Sequence, residues 1–183
     1  IPKDQFVYIG GENPRKRVDN LLKAFAGFVT DHSSYRLVLI GKGYEVYNDL
    51  MTELGINDKV GMPGYVSEEE KYDTISASRA IVYPSMYEGY GLEIAEGILA
   101  DVAVVADPAG AGREVGGEAV IYIDATDPLS IQEGMERSLD PKTQDQLRIQ
   151  RAIQRDVIHN DAMEGTIVGF FNKQVQLARG EPE

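Results

Sequence analysis

The chain has 183 residues, 43% hydrophobic and 26% charged, with 18 Lys plus Arg against 30 Asp plus Glu and a formal net charge of -12. That length suits one domain with a substantial core, and the acidic balance excludes a basic footprint for nucleic acid. No apolar run approaches the ~20 residues of a membrane helix and no signal segment opens the chain; with no Cys there is no disulfide framework or thiolate metal site, so a cytoplasmic setting is the expectation. A start at Ile1 rather than Met suggests a piece of a longer protein.

In chain order, Phe6 to Ile9 reads as a first strand ending in the glycine turn Gly10-Gly11, followed by Glu12-Asn13-Pro14-Arg15-Lys16-Arg17. A helix from about Val18 to Val29 follows, with Leu21, Leu22, Phe25 and Phe28 on one face. Tyr35 to Ile40 is a second strand, then Gly41-Lys42-Gly43 and a helical stretch from about Glu45 to Leu54. Val60 to Val66 holds a short strand interrupted by Pro63-Gly64, and Ser67 with Glu70 forms a capping box. Ala80 to Tyr83 is a buried apolar strand that opens into the loop Glu88-Gly89-Tyr90-Gly91 and a helix from about Leu92 to Leu99. Val102 to Ala106 and Ala119 to Ile123 are strands on either side of a glycine-rich loop, Pro108 to Gly117. Asp127-Pro128 starts a helix to about Leu139, and two final helices span about Pro141 to Ile158 and Asp161 to Leu177, within about 141–178.

Strands alternating with helices, several of them continuously apolar, predict an α/β domain with a parallel sheet covered on both faces. Residues 1–183 therefore read as a single domain. Ligands in such sheets sit outside the carboxyl ends of the strands, where the glycine turns at 10, 41, 89 and 110 fall.

The chemistry concentrates between Ala80 and Glu96. Glycines at 89 and 91 precede a helix start, where backbone N–H groups favour an anion such as phosphate. Carboxylates do not bind phosphate, yet Glu88 and Glu96 bracket the loop, so the ligand has an anionic part and hydroxyl groups. The helix dipole explains Glu93 comfortably, Glu96 in part, and Glu88 poorly, because it stands outside the helix. A Glu inside the site suits a ribose diol and one before the loop suits a hexose. Arg15 and Lys16 lie where a diphosphate would approach the rim, but with Arg17 they fit a solvated basic cluster equally well.

Other motifs carry less. Gly41-Lys42-Gly43 is an incomplete dinucleotide fingerprint, with Val46 where a third glycine belongs. No Asp-x-Asp pair offers to hold a metal against a diphosphate. His32 and His159 sit in polar stretches and read as surface residues.

The segments YIGGENPRK, LLKAF, LVLIGKG, GYVSEEEKYDTISASRAIVYPSMYEGYGLEIAEG, GREV and IDATDP, in this order, make the chain similar to the C-terminal, donor-binding domain of the GT-B glycosyltransferases. Within these it resembles the large retaining group called family 4. The Glu-x7-Glu spacing from Glu88 to Glu96, with EGYGL inside, is the specific part of the match.

The resemblance implies a Rossmann-like sheet and a role for each matched residue. Glu88 would lie near the donor hexose. Gly89, Tyr90, Gly91 and Leu92 would offer N–H groups to sugar hydroxyls and diphosphate, and Glu96 would hold the ribose. Lys16, with Arg15, would neutralise the departing diphosphate. Gly10, Gly11 and Gly41 would let the donor approach the backbone, and Tyr65 would border the base. No metal or other cofactor is expected, the donor being a nucleotide-diphosphate sugar. The implied partners are that donor, an N-terminal GT-B domain absent from this chain, and a saccharide or lipid-linked acceptor, with peripheral membrane association at the inner face arising through the absent half.

Relatives often carry Arg at Gly11, Pro at Glu93 and Gly-Thr-Pro at Asp101-Val102-Ala103. The GG-x-x-PRK version resembles mannosyltransferase-like members, which makes GDP-mannose a donor candidate beside UDP-sugars. The expected function is hexosyl transfer in the intact enzyme and none by the isolated chain. Its rivals are an NDP-sugar epimerase of the same architecture and a non-catalytic module that kept the fold.

Overall fold

A computed structural model describes residues 3–87 and 89–160. Glu88, the side chain of His159 and the helix expected over Asp161 to Leu177 lie outside what it describes. The elements run β1 (Gln5–Ile9), α1 (Val18–Asp31), β2 (Arg36–Ile40), α2 (Asn48–Glu53), β3 (Val60–Gly64), α3 (Glu68–Ala77) and β4 (Ala80–Tyr83). They continue with α4 (Leu92–Leu99), β5 (Ala103–Ala106), α5 (Gly112–Gly116), β6 (Val120–Tyr122), α6 (Pro128–Arg137) and α7 (Pro141–Asn160). Single 3-10 turns stand at Pro14–Lys16 and Tyr44–Tyr47.

The six strands form one parallel sheet in the order β3-β2-β1-β4-β5-β6. This confirms the expected Rossmann-like α/β class and fixes what local sequence could not, the order. Strand order reverses between β1 and β4, the place at the carboxyl ends of the strands where sheets of this kind form a ligand crevice. Past the half-buried Gln5 that opens β1, the central strands are apolar because both their faces are covered: Phe6, Val7, Tyr8, Ile81, Val82, Val104 and Val105 are fully buried. Each large apolar side chain so buried contributes about 1.5–3 kcal/mol. On one side α1 packs against α6, while α4 packs against α5 and α7. Pro63, which has no N–H to give a ladder, is tolerated because β3 is an edge strand.

Three expectations need correction. The helix expected over Glu45 to Leu54 is divided, because the buried Tyr44 is drawn under the rim and its phenol donates to the Ile40 carbonyl (2.9 Å). That anchor holds Tyr44–Tyr47 as a 3-10 turn, and only Asn48–Glu53 is α-helical. The glycine-rich loop over Pro108 to Gly117 contains the short helix α5, seated against α4 and α7. His32 is no plain surface residue: it stacks on Phe28 (centroids 4.4 Å) and pairs with Glu136 of α6 (2.9 Å), joining α6 to the end of α1. Among the described residues no helix is long and apolar enough to cross a membrane.

Candidate active site

The loops after β1 and β4 meet at the crevice, over an aromatic floor. Tyr8 of β1 stacks on Tyr83 of β4 (centroids 5.9 Å) and meets Tyr44 edge-on (6.1 Å). The phenols hold the glycine turn from below: Tyr8 donates to the Gly11 carbonyl (3.3 Å), and Tyr44 to the Gly10 carbonyl. Burial pushes the Tyr44 phenol well above its ordinary range, so it stays a donor. Gly10 and Gly41 both have left-handed φ values, +143° and +137°. A side chain on Gly41 would collide with the Gly10 carbonyl, so the ends of β1 and β2 approach as only glycines allow.

Above Gly10 lies Lys16, whose Nζ would stand 2.6 Å from a Cβ at that position. The side chain is 11% exposed, with Nζ 5.5 Å from the centre of the Tyr83 ring and 3.9 Å from Glu93 in the first turn of α4. Local sequence explains the placement. Asn13 caps the 3-10 turn by accepting from the Arg15 N–H, Pro14 starts it, and Arg17 ends it in a left-handed conformation (φ 49°). Arg15 points across the crevice instead. Its guanidinium donates to the Tyr87 carbonyl (2.6 Å) and Ser85 Oγ (3.4 Å), and its carbonyl accepts from the Met86 N–H (2.9 Å). Arg17 Nε reaches Met86 Sδ (2.9 Å). The basic cluster is therefore not simply solvated; it stitches the β1 loop to the β4 loop.

Helix α4 starts after Gly91, which has no side chain to cap it, and the Ile94 N–H of its first turn donates to the Gly91 carbonyl (3.1 Å). Gly89 is exposed with open space around its Cα, while Tyr90 and Leu92 are half-buried. Glu96, one turn beyond Glu93, is 14% exposed, and its Oε1 accepts from Lys71 of α3 (2.7 Å). Burial raises its pKa above the usual glutamate range despite the opposing Lys71 charge. Lys71 also reaches Glu68 (2.7 Å), and the two carboxylates raise its pKa although burial alone would lower it.

Farther along the rim, the Gly41 N–H donates to the Gly64 carbonyl (3.0 Å) and Glu12 N–H to the Lys42 carbonyl (2.9 Å). Tyr65 stands 73% exposed with Lys42 Nζ 4.4 Å from its ring centre. The carboxyl ends of the strands thus bring Tyr65, Gly41, Gly10, Gly11, Lys16, Arg15 and the start of α4 to one edge, with Glu96 one turn farther along α4, paired with Lys71. Glu88 lies outside the described residues. Among those described, no group of three or more His, Asp or Glu side chains could hold a metal ion.

The family model of the glycosyl transferases group 1 matches residues 2–155. The chain belongs to this family. O-antigen chain mannosyltransferase B of Escherichia coli is 33% identical to it over 138 residues, 73% of this chain and 36% of that protein. The MMP alpha-(1->4)-mannosyltransferase of Mycolicibacterium hassiacum is 32% identical over 105 residues, 57% of this chain and 26% of that protein. The chain thus spans about a third of the first of these relatives. Among solved structures, sucrose-phosphate synthase from Thermosynechococcus elongatus superposes with a TM-score of 0.76 at 22% identity, over 97% of this chain and 47% of that one. Anabaena HepE, solved in complex with UDP and glucose, gives 0.74 at 16% identity over 97% and 48%. The family match and these neighbours identify the fold as that of the C-terminal domain of a GT-B glycosyltransferase.

For this member of the group 1 glycosyltransferases, the sequence hides two charged contacts of α4. Glu93, which the helix dipole alone would explain, faces Lys16. Lys71 reads in sequence only as part of a capped helix, and no local signal pairs it with a carboxylate 25 positions on. The departure at Asp101 to Ala103 leaves a well-held turn: Asp101 takes a left-handed φ of 55° and pairs with Arg151 of α7 (2.9 Å).

Proposed function

We propose that this chain is the nucleotide-diphosphate-sugar-binding domain of a retaining glycosyltransferase that transfers a hexosyl group, with mannosyl favoured by its relatives, to a saccharide or lipid-linked acceptor. One observation carries the reading: the enclosed Lys16 ammonium over Gly10, beside the first turn of α4, at the point where the strand order reverses. A diphosphate leaving there would find a cation and helix N–H groups already in place. Stabilising the charge that develops on a leaving group usually contributes more to such catalysis than any other single effect. On this reading the donor needs no metal.

In this proposal the ribose hydroxyls donate to Glu96, and Gly89, Tyr90, Gly91 and Leu92 meet the sugar and diphosphate. Glu88 serves the hexose on the strength of its place in the motif. Arg15 fixes the shape of the β4 loop and adds positive potential, while Gly11, Gly41 and Tyr65 border the nucleotide. A further domain supplies the acceptor side and any peripheral contact with the cytoplasmic face of a membrane. The isolated chain then binds donor nucleotide and transfers nothing.

Calorimetric titration of the 183-residue chain with GDP and UDP tests this. A saturating heat at millimolar nucleotide or below, larger affinity going to GDP for a mannosyl donor, is the expected result. No heat with either nucleotide, from a sample that melts cooperatively, overturns it.

A further inference from the structure

Lys71 stands where helix chemistry disfavours a cation. It follows Glu68, Glu69 and Glu70 in the opening turns of α3, next to the positive end of the helix dipole. Its side chain is nonetheless 14% exposed, although a lysine at a helix start could keep its ammonium in water. Glu68 does not account for this, because that carboxylate is 43% exposed and reachable from the surface. The contact that requires burial is the one to Glu96, across to α4, at 2.7 Å. Nor is the pair a by-product of helices packing side by side, since α3 lies chiefly against β1.

The charged groups facing Glu96 are Lys71 and Glu68 of α3 and Glu93 one turn back on α4. Of these only Lys71 is cationic. Removing it would leave a nearly enclosed carboxylate among two others, a setting that favours protonation. Protonation of Glu96 would remove its charge and turn one acceptor oxygen into a donor, weakening its hold on a ribose hydroxyl.

We propose that Lys71 is a positioning residue for the ribose-binding carboxylate: it occupies Oε1 of Glu96, keeps the group ionised, and leaves Oε2 turned to accept from the nucleotide ribose. The proposal rests on the donor-site reading of Glu96. It makes Lys71 a determinant of ribose recognition without contact to the ligand.

The test titrates the chain with GDP and UDP and their 2′-deoxy counterparts over a series of pH values. Wild type should prefer the ribonucleotide by about tenfold, the worth of one hydrogen bond to a charged acceptor. Lys71→Met should shrink that preference to about twofold or less, and the decline of affinity on acidification should begin at higher pH. Lys71→Arg should restore both features in part. Lys71→Met combined with Glu96→Gln, which removes the unpaired buried charge, should show neither the preference nor the acid decline. If Lys71→Met proves unfolded, the Arg variant and the double variant decide. Full ribose preference with an unchanged pH profile in Lys71→Met overturns the inference and leaves the donor site standing, whereas full ribose preference in the folded double variant overturns the assignment of Glu96 to the ribose and the inference with it. Equal weakening of ribo- and deoxynucleotide also overturns it, since Lys71 would then touch phosphate or base itself. Failure of wild type to bind either nucleotide overturns instead the reading beneath it.

Discussion

Two lysine–glutamate pairs lie along the start of α4, and they are held differently. Lys71 and Glu96 meet at 2.7 Å, with both side chains 14% exposed. Lys16 and Glu93 are equally enclosed, at 11% and 17%, yet stand 3.9 Å apart. Since burial is alike, solvent cannot explain the contrast; contact geometry does. The first pair is a closed ion pair. The second leaves the ammonium beyond hydrogen-bond distance of its carboxylate, where a phosphate oxygen at ~2.8 Å would bind it more closely than Glu93 does. One lysine is committed to the protein and the other is available to a ligand.

The sharpest way to break this contrast is to remove the available cation. Lys16→Ala should weaken GDP or UDP binding about a hundredfold, the scale of losing charge-assisted contacts to a diphosphate, while the melting temperature barely changes. A loss under about threefold in calorimetry would place the diphosphate elsewhere. Glu96→Gln comes next, with a loss of about tenfold and no ribose preference. Glu93→Gln should move affinity the other way, tightening nucleotide about two- to fivefold by removing a carboxylate that faces the phosphate site. Ser67→Ala is the mildest probe. It deletes the cap of α3, to which the Ser67 hydroxyl and Glu70 contribute reciprocally (3.2 and 2.8 Å), and should cost about 1 kcal/mol in urea denaturation while nucleotide affinity changes by less than about twofold.

Acidity separates binding from folding at Glu96. Its pKa is raised by burial, so the folded protein takes up this proton at a higher pH than the unfolded chain. As pH falls through that window, above the range of an ordinary glutamate, nucleotide affinity should fall because the carboxylate is lost. This group's contribution to stability moves oppositely, rising with acidification because the folded state binds more protons there. Affinity that declines while the urea midpoint holds or rises is the expected signature. In Glu96→Gln the decline should vanish.

Much of the fold is legible in the sequence because it is local. The continuous apolar runs mark the parallel strands, Asp127-Pro128 and the Ser67–Glu70 box mark helix starts, and α4 falls on Leu92–Leu99 as expected. Helix α5 is hidden because its sequence, GREVG, disfavours a helix in isolation, and only docking against α4 and α7 forms it. The division of the segment after β2 is hidden for a similar reason, since a buried Tyr44 anchored on β1 and β2 overrides local helix preference. At the site, the glycines and Lys16 can be read from motif order. The Lys71–Glu96 pair and the turn of Arg15 onto Tyr87 cannot, because both depend on which strands become neighbours.

Every role assigned at the crevice depends on where a nucleotide docks, and amide NMR spectra of the chain titrated with GDP measure that directly. Shifts should concentrate on Gly10, Gly11, Lys16 and the stretch from Gly89 to Glu96, with weaker changes at Gly41 and Tyr65. Shifts centred on the open groove lined by Gln5, Met62, Pro63, Asp73 and Thr74, with the amides around Gly10 and Gly91 unmoved, would contradict it.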